Sequence, residues 1–299
     1  MTQDDSSDDK NSGNKFSDLS KDRPPAEKRI SGQVKQITSV SNPIVKDIRG
    51  LALRKNRNKS NLFLGEGLKL VTDALQKKWR IADIIYGKSF ADQDAIAQAA
   101  AKVRAAGGSV LEVSNQVLEK ISRKDNPQMV LGVFEQRYQA LSHIRPAPGE
   151  LWVALDRVRD PGNLGTSLRT ADCAGAKGVI LVGDCTDPYS VEAVRASMGS
   201  IFHMPLAKAS EGEFLQWKER NHIVVIGTHL SGAVDYRTVD YSAADVVLMG
   251  NEQQGLTDPL AAACNQLVLI PMAGQADSLN LAVSTGIVLF EARKPALTP

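Results

Sequence analysis

Three polar segments in the second half of the chain have residue types that could bind a ligand or carry chemistry. The first, DRVRDPGNLGTSLRTADC at 156–173, joins an apolar strand to a helix through a loop with one proline and two glycines. We expect Asn163 to cap that helix. Arg169 would lie six positions further along it, either at the ligand edge of the sheet or in an ordinary surface ion pair. The loop matches neither usual nucleotide-binding fingerprint.

The second segment is GNEQQGL at 250–256, directly after an apolar strand. Four consecutive polar residues between glycines are costly to order unless they bind a ligand or form a tight turn. Glu252 could therefore belong to a site or could orient neighbouring backbone groups, and both interpretations stay open. Asp258, followed by a proline, is predicted to cap the next helix.

The third segment, IPMAGQADSLN at 270–280, runs from the last strand into the final helix. Its small and polar residues would let a ligand approach the backbone closely. Ser278 and Asn280 lie where helix capping occurs, and capping alone could explain them. All three segments follow strands of a predicted parallel sheet, so we expect them to meet at its carboxyl edge and to form a ligand site there.

The elements that would position these segments alternate between apolar strands and helices. Continuous apolar runs recur at 151–155, 178–182, 223–227, 246–249 and 267–270. Such runs are typical of strands buried on both faces, and the helices between them indicate a mostly parallel sheet. The fold class is therefore α/β.

A smaller α/β unit is predicted before this sheet, with a helix at 44–57 as its first element. Residues 1–36 contain few large apolar side chains and are expected to be a disordered tail. Proline and glycine punctuate residues 139–150, which read as a linker. The predicted division is a tail at 1–36, a domain at 37–138, the linker, a second domain at 151–294 and a short tail at 295–299.

Charge is distributed unevenly along the chain. Residues 1–150 hold 25 Lys and Arg against 18 Asp and Glu, whereas residues 151–299 hold 11 against 16. Clustered cations are what binding to a polyanion such as RNA requires, although a solvated helix face would have the same composition. The candidate RNA-binding residues are Lys46, Arg49, Arg54, Lys55, Arg57 and Lys59.

Several classes of protein are disfavoured. No apolar run approaches the roughly 18 residues that span a membrane, and the N-terminus has no apolar signal region. The spacing of Cys173, Cys185 and Cys264 fits neither a zinc site nor a disulfide framework. We therefore expect no membrane association, no metal and a cytoplasmic location.

The three motifs NLGTSLRTAD (163–172), LMGNEQQGL (248–256) and IPMAGQADSLNLAVSTGIVLFEA (270–292) resemble, in order and spacing, those of the SpoU (TrmH-type) RNA 2′-O-ribose methyltransferases of the SPOUT superfamily. The resemblance covers about residues 151–294. ITSVSNPIVKDIRGL (37–51) and FLGEGLKLVTDAL (63–75) resemble the ribosomal-protein-like substrate-binding domain that precedes the catalytic domain in many members.

This resemblance implies a trefoil-knotted catalytic domain that binds S-adenosylmethionine (AdoMet) and forms a homodimer through that domain. Carried over by motif, the implied catalytic residues are Asn163, Arg169, Glu252, Ser278 and Asn280. The implied cofactor-binding residues are Thr228, His229, Leu230, Gly250, Asn251, Glu252, Gly255, Ile270, Pro271, Met272, Ser278, Leu279 and Asn280.

The implied reaction is AdoMet-dependent methylation of a ribose 2′-hydroxyl in structured RNA. Ribosomal RNA is preferred over transfer RNA, because an extra basic domain suits recognition of a folded RNA by its shape and backbone. Arginine stays protonated and is a poor base, so Arg169 is expected to grip an RNA phosphate and lower the pKa of the hydroxyl. The alternatives are a non-catalytic RNA-binding or ribosome-assembly factor and a small-molecule methyltransferase.

Overall fold

A computed structural model describes residues 32–123, 127–231 and 233–297. They form two β-sheets flanked by helices. The N-terminal sheet consists of β1 (Val34–Ile37), β2 (Leu62–Glu66), β3 (Ile81–Gly87), β4 (Ser109–Val113) and β5 (Val130–Glu135). Its helices are α1 (Pro43–Gly50), α2 (Arg54–Ser60), α3 (Leu68–Gln76), α4 (Asp94–Ala105) and α5 (Asn115–Ser122). The strand order is β1-β4-β3-β5-β2, and β5 runs antiparallel to both of its neighbours.

Two predictions for this half were wrong. The predicted tail at 1–36 includes the start of β1, which pairs with β4 in parallel and is ordered by that pairing; residues 1–31 lie outside the described part of the chain. The single helix predicted at 44–57 is divided into α1 and α2. Side chains of Asn56 and Arg57 donate to the carbonyl groups of Gly50, Leu51 and Ala52, and these bonds stabilise the turn between the helices.

The C-terminal sheet has seven strands, all parallel, which confirms the predicted fold class. They are β6 (Trp152–Asp156), β7 (Val179–Val182), β8 (Leu206–Ala209), β9 (Val225–Thr228), β10 (Val234–Asp235), β11 (Val246–Met249) and β12 (Gln266–Leu269). The helices are α6 (Pro161–Cys173), α7 (Val191–Ala196), α8 (Glu211–Arg220), α9 (Asp258–Ala263) and α10 (Leu281–Arg293). Strands β6, β7 and β11 are buried along their whole length, as the continuous apolar runs predicted.

The strand order, β10-β12-β9-β11-β6-β7-β8, inserts β12 between two strands that are consecutive in the chain. Val268 of β12 pairs with Thr228 of β9 on one side and with Val234 of β10 on the other. The chain therefore leaves one side of β12 and rejoins the sheet on its opposite side six residues later. Such a crossing is expected of a chain that threads through its own loop.

The two halves are joined by a buried interface. Arg57 of α2 forms an ion pair with Asp187, with Nη2 2.7 Å from Oδ2. The ring of Phe63 on β2 packs against the ring of Tyr189, with the ring centroids 4.6 Å apart. The indole nitrogen of Trp79 donates to the carbonyl of Phe202 at 3.1 Å. The RNA-binding expectation for Arg57 is wrong, because its side chain is buried and its guanidinium is bound to protein groups.

The predicted linker at 139–150 packs against the C-terminal sheet. The backbone N–H of Gln139 donates to the carbonyl of Leu206 on β8, and the indole of Trp217 on α8 donates to the carbonyl of Ile144. Ile144 is buried. This segment therefore covers the edge of the sheet at β8.

Candidate active site

A cleft opens at the carboxyl ends of β9, β11 and β12, where the sequence predicted a ligand site. Its volume is about 250 Å³. The second and third polar segments both contribute to its walls, together with the residues that follow β9. The lining residues are Thr228, His229, Leu230, Met249, Gly250, Asn251, Glu252, Gln253, Gly255, Val268, Leu269, Ile270, Met272, Asp277, Ser278, Leu279, Leu281 and Ser284. Of the residues expected to bind the cofactor, Pro271 and Asn280 alone do not line it.

The loop at 250–256 is a tight turn that also forms one wall of this cleft. Asn251 and Gly255 exchange two backbone hydrogen bonds at 3.0 and 3.1 Å. The side-chain oxygen of Asn251 accepts from the N–H groups of Gln253 and Gln254. Gly255 has φ +66°, and a Cβ on Gly250 would lie 2.7 Å from the backbone of Gly255. The sequence left open whether this loop binds a ligand or forms a tight turn. The two roles are compatible in the structure, because the tight turn gives this wall of the cleft its shape.

Three polar side chains from the three predicted segments form a connected network beside the cleft. The side-chain nitrogen of Asn280 donates to Oδ1 of Asn163 at 2.8 Å, and Nδ2 of Asn163 donates to Oε1 of Glu252 at 3.3 Å. The carboxylate of Glu252 also lies 3.4 and 3.5 Å from the N–H groups of Arg159 and Asp160. The expected convergence of the three segments is therefore observed.

Two predicted helix caps are wrong by three residues and one residue. Asp160, rather than Asn163, caps α6, and its carboxylate accepts from the N–H of Asn163 at 2.6 Å. Asn163 is in the first turn of α6, so its side chain is available for the network. Thr257, rather than Asp258, caps α9. Asn280 caps α10 as expected, and its Oδ1 accepts from the N–H groups of Ala282 and Val283.

The other two implied catalytic residues, Ser278 and Arg169, lie outside this network. Ser278 lines the cleft. Arg169 lies on α6 with an exposed side chain outside the cleft lining, and within the described ranges its guanidinium has no hydrogen-bond or ion-pair partner. The structure therefore joins Asn163, Glu252 and Asn280 directly and leaves Arg169 facing solvent.

The lining of the cleft suits a cationic ligand with an apolar body. The two charged lining side chains within the described ranges are the carboxylates of Glu252 and Asp277. Apolar walls come from Leu230, Ile270 and Met272. AdoMet carries a sulfonium cation and an ammonium group beside a flat adenine ring, so these carboxylates and apolar walls fit it. His229 also lines the cleft, and its Nδ1 accepts from the N–H of Ser231 at 3.0 Å.

Sequence reasoning missed several lining residues: Met249, Gln253, Val268, Leu269, Asp277, Leu281 and Ser284. Most occupy strand ends or sit next to a predicted site residue. Two of the polar ones, Gln253 and Asp277, lie inside the quoted polar segments, and treating each segment as a continuous wall predicts them. The third, Ser284, lies on α10 beyond the last segment.

The basic stretch of the first half is only partly available for binding. Lys46, Arg54, Lys55 and Lys59 are exposed, and Arg49 is half-buried.

Within residues 32–123, 127–231 and 233–297, no helix combines the length and the apolar character that are needed to span a membrane. The same ranges contain no group of three or more His, Cys, Asp or Glu residues that could hold a metal ion.

Comparison with known proteins identifies both halves. The model of the SpoU rRNA methylase family matches residues 150–290, and that of the MRM3-like substrate binding domain matches residues 42–132. A 23S rRNA guanosine 2′-O-methyltransferase of Bacillus subtilis is 30% identical over 260 residues, which are 87% of this chain and 100% of that protein. A 23S rRNA uridine 2′-O-methyltransferase of Streptomyces viridochromogenes is 31% identical over 249 residues, which are 81% of this chain and 86% of that protein.

Solved structures agree with these relatives. The AdoMet-bound rRNA methyltransferase of Sinorhizobium meliloti superposes with a TM-score of 0.84 at 55% identity, covering 89% of this chain and 99% of that one. The SpoU methyltransferase AviRb of Streptomyces viridochromogenes, in complex with AdoMet, has a TM-score of 0.78 at 28% identity and covers 85% of this chain and 98% of that one. The chain therefore belongs to the SpoU rRNA methylase family.

Proposed function

We propose that this protein transfers a methyl group from AdoMet to a ribose 2′-hydroxyl of ribosomal RNA. The observation that carries the proposal is the cleft at the carboxyl ends of β9, β11 and β12, with the Asn163–Glu252–Asn280 network beside it, where the three motif segments meet. The names of the curated relatives support the reaction and the class of RNA.

The cofactor would be held by the walls of the cleft. Leu230, Ile270 and Met272 offer apolar surface to the adenosine moiety. The carboxylates of Glu252 and Asp277 balance the positive charge of the sulfonium and ammonium groups of AdoMet. Thr228 helps to shape this side, since its hydroxyl accepts from the N–H of Gly250 at 3.3 Å and so joins β9 to the loop that follows β11. When bound, AdoMet supplies a methyl group on a sulfonium cation, which is reactive without a metal.

The polar network would hold the acceptor ribose in line with that methyl group. Asn163 is fixed from both sides, by the amide of Asn280 and the carboxylate of Glu252. Ordering these groups before the RNA binds lowers the entropic cost of aligning the reacting atoms. Arg169 would bind an RNA phosphate through its planar fork and stabilise negative charge near the 2′-oxygen.

The RNA would enter along the exposed cations of α1 and α2. Four of these cations are exposed to solvent and Arg49 is half-exposed; the four are Lys46, Arg54, Lys55 and Lys59. Each phosphate that they neutralise would release counterions, so binding should weaken as salt rises. We assign this surface to a substrate-binding domain at 37–138, with a methyltransferase domain at 151–294.

We infer that the protein forms a homodimer through α10. Val283 and Phe290 of this helix are 51% and 46% exposed, although α10 is apolar along most of its length. Exposed apolar side chains on a helix of this kind suit an interface between two copies. Val283→Asp should convert a dimer into monomers in sedimentation-velocity analysis, and a wild-type protein that sediments as a monomer would contradict the inference.

The trefoil knot and the cytoplasmic location remain predictions. The crossing of β12 between β9 and β10 supports the knot. Cys173, Cys185 and Cys264 are free thiols in the structure.

A calorimetric titration with AdoMet, combined with a methyl-transfer assay, tests the proposal. Wild-type protein should bind AdoMet and label ribosomal RNA. Asn163→Ala should retain AdoMet affinity, because Asn163 does not line the cleft, while turnover falls by roughly tenfold or more through loss of alignment. Arg169→Lys should also lose turnover, since lysine lacks the bidentate fork.

Three outcomes would contradict parts of this proposal. Absence of AdoMet binding would favour a non-catalytic RNA-binding factor. Binding with transfer to transfer RNA alone would change the substrate. Full turnover of Arg169→Lys with unchanged RNA affinity would remove the phosphate-gripping role.

A further inference from the structure

Arg157, directly after β6, has an unusual backbone and an extensive set of partners. Its φ is +46°, which residues other than glycine rarely adopt. Its Nε lies 2.9 and 3.1 Å from the two carboxylate oxygens of buried Asp156, and Nη2 donates to the same carboxylate at 2.9 Å. A Cβ on Gly183 would lie 2.9 Å from Cγ of Arg157, so glycine leaves room for the arginine stem.

The other side of Arg157 is bonded to the loop at 250–256. Its Nη1 donates to the side-chain oxygen of Gln254 at 2.9 Å, and Nη2 donates to the carbonyl of Gly255 at 3.1 Å. The backbone carbonyl of Arg157 accepts from Nδ2 of Asn251 at 2.8 Å. These bonds join one residue to three positions of the turn that forms a wall of the cleft.

Arg157 is positioned to act through this loop. The residue does not line the cleft, whereas Asn251 and Gly255 do. Hydrogen bonds to Asp156 raise the pKa of the guanidinium further above its ordinary value, so it keeps its charge. Beyond the other end of the loop, the hydroxyl of Thr257 donates to Glu211 at 2.6 Å. The loop is thus anchored on both sides.

We propose that Arg157 is a positioning residue that holds the loop at 250–256 in the shape that binds AdoMet. The inference rests on the proposed function, because it takes AdoMet as the ligand of the cleft. Only a planar fork can bind the Asp156 carboxylate and two loop acceptors at the same time, so lysine would keep the charge and lose the geometry.

The test is the AdoMet affinity of Arg157→Lys, measured by calorimetry on the full chain. The dissociation constant should rise about tenfold, which corresponds to about 1.4 kcal/mol, and methyl transfer should saturate only at a correspondingly higher AdoMet concentration. Arg237→Lys is the matched control, because Arg237 forms a comparable pair with Asp235 at an exposed site and has no bond to the loop. Its dissociation constant should not change.

A second variant guards against a general loss of folding. Gln254→Ala leaves the Arg157–Asp156 pair intact and removes one loop acceptor. Its dissociation constant should rise by about two- to threefold, less than that of Arg157→Lys because the bond to Gly255 remains.

The outcomes separate this inference from the proposed function. An unchanged dissociation constant in the folded fraction of both variants would overturn the positioning role, even if Arg157→Lys melts at a lower temperature. A wild-type protein that binds no AdoMet would instead overturn the proposed function.

Discussion

The buried ion pair between Arg57 and Asp187 should contribute strongly to stability. Arg57 is 3% exposed and Asp187 is 6% exposed. Besides the pair itself, Nη1 of Arg57 donates to the carbonyl groups of Leu51 and Ala52 at 2.8 and 3.0 Å. Asp187→Asn is the most specific change, because Oδ1 of Asp187 accepts from the N–H of Tyr189 at 2.9 Å, and an asparagine can keep that bond.

The expected cost of Asp187→Asn follows from the uncompensated charge that it leaves. Removing one partner of a buried pair typically costs about 3–5 kcal/mol, since the remaining ion stays desolvated. At about 2–4 °C of melting temperature per kcal/mol for a chain of this size, the transition should fall by roughly 6–20 °C. Glu135→Gln is the control, because the Arg80–Glu135 pair has 75% and 37% exposed side chains 3.8 Å apart and should contribute about 0–1 kcal/mol.

Urea denaturation, followed by tryptophan fluorescence and by circular dichroism, is the appropriate assay. The midpoint of Asp187→Asn should fall with little change in the slope, and the folded variant should keep the RNA affinity of the wild type because Arg57 faces protein. A loss below about 1 kcal/mol, equal to that of the control, would refute the argument from burial. A variant with wild-type stability and a selective loss of RNA affinity would show that Arg57 takes part in RNA binding.

Two further predictions concern groups with opposite exposure. Changing Lys55 and Lys59 together to glutamate should raise the dissociation constant for RNA and reduce its salt dependence by about 0.7–0.9 per lost phosphate contact, with AdoMet affinity unchanged; equal salt slopes for variant and wild type in filter-binding assays would contradict this. Burial raises the pKa of the Cys185 thiol to about 11, so at pH 8 it should stay protonated and react with a thiol reagent only as the pH approaches that value or the protein unfolds. Rapid modification of Cys185 at pH 8, detected by peptide mass spectrometry, would contradict the burial argument.

The sequence allowed the sheet and the meeting of the polar segments to be predicted, because both follow from local patterns. Apolar runs mark β6, β7 and β11 without reference to the rest of the chain. Parallel strands then bring the segments after β11 and β12 to one edge. The motif resemblance added the identity of the ligand, which no spacing of residues indicates.

Some errors arose where contacts between distant residues decide the outcome, and one arose from a choice between two capping residues of the same loop. Arg57 belongs to the same basic stretch as Lys55, yet its side chain turns inward to Asp187, which is 130 positions away in the chain. The frequency of asparagine at helix caps predicts Asn163 as the cap of α6, but Asp160, three positions earlier, takes that role. Arg157 gave no local signal, since its loop partners lie more than 90 residues further along.

The most direct test of the central claim is to identify the methylated product. Purified ribosomal RNA and transfer RNA are each incubated with the protein and radiolabelled AdoMet, digested with nuclease, and searched for labelled nucleotides. The cleft and its relatives predict label in ribosomal RNA, in a dinucleotide that resists cleavage because its 2′-oxygen is methylated. Label on a base, or no label in either RNA despite demonstrated AdoMet binding, would contradict the assignment of this protein as a ribosomal RNA 2′-O-methyltransferase.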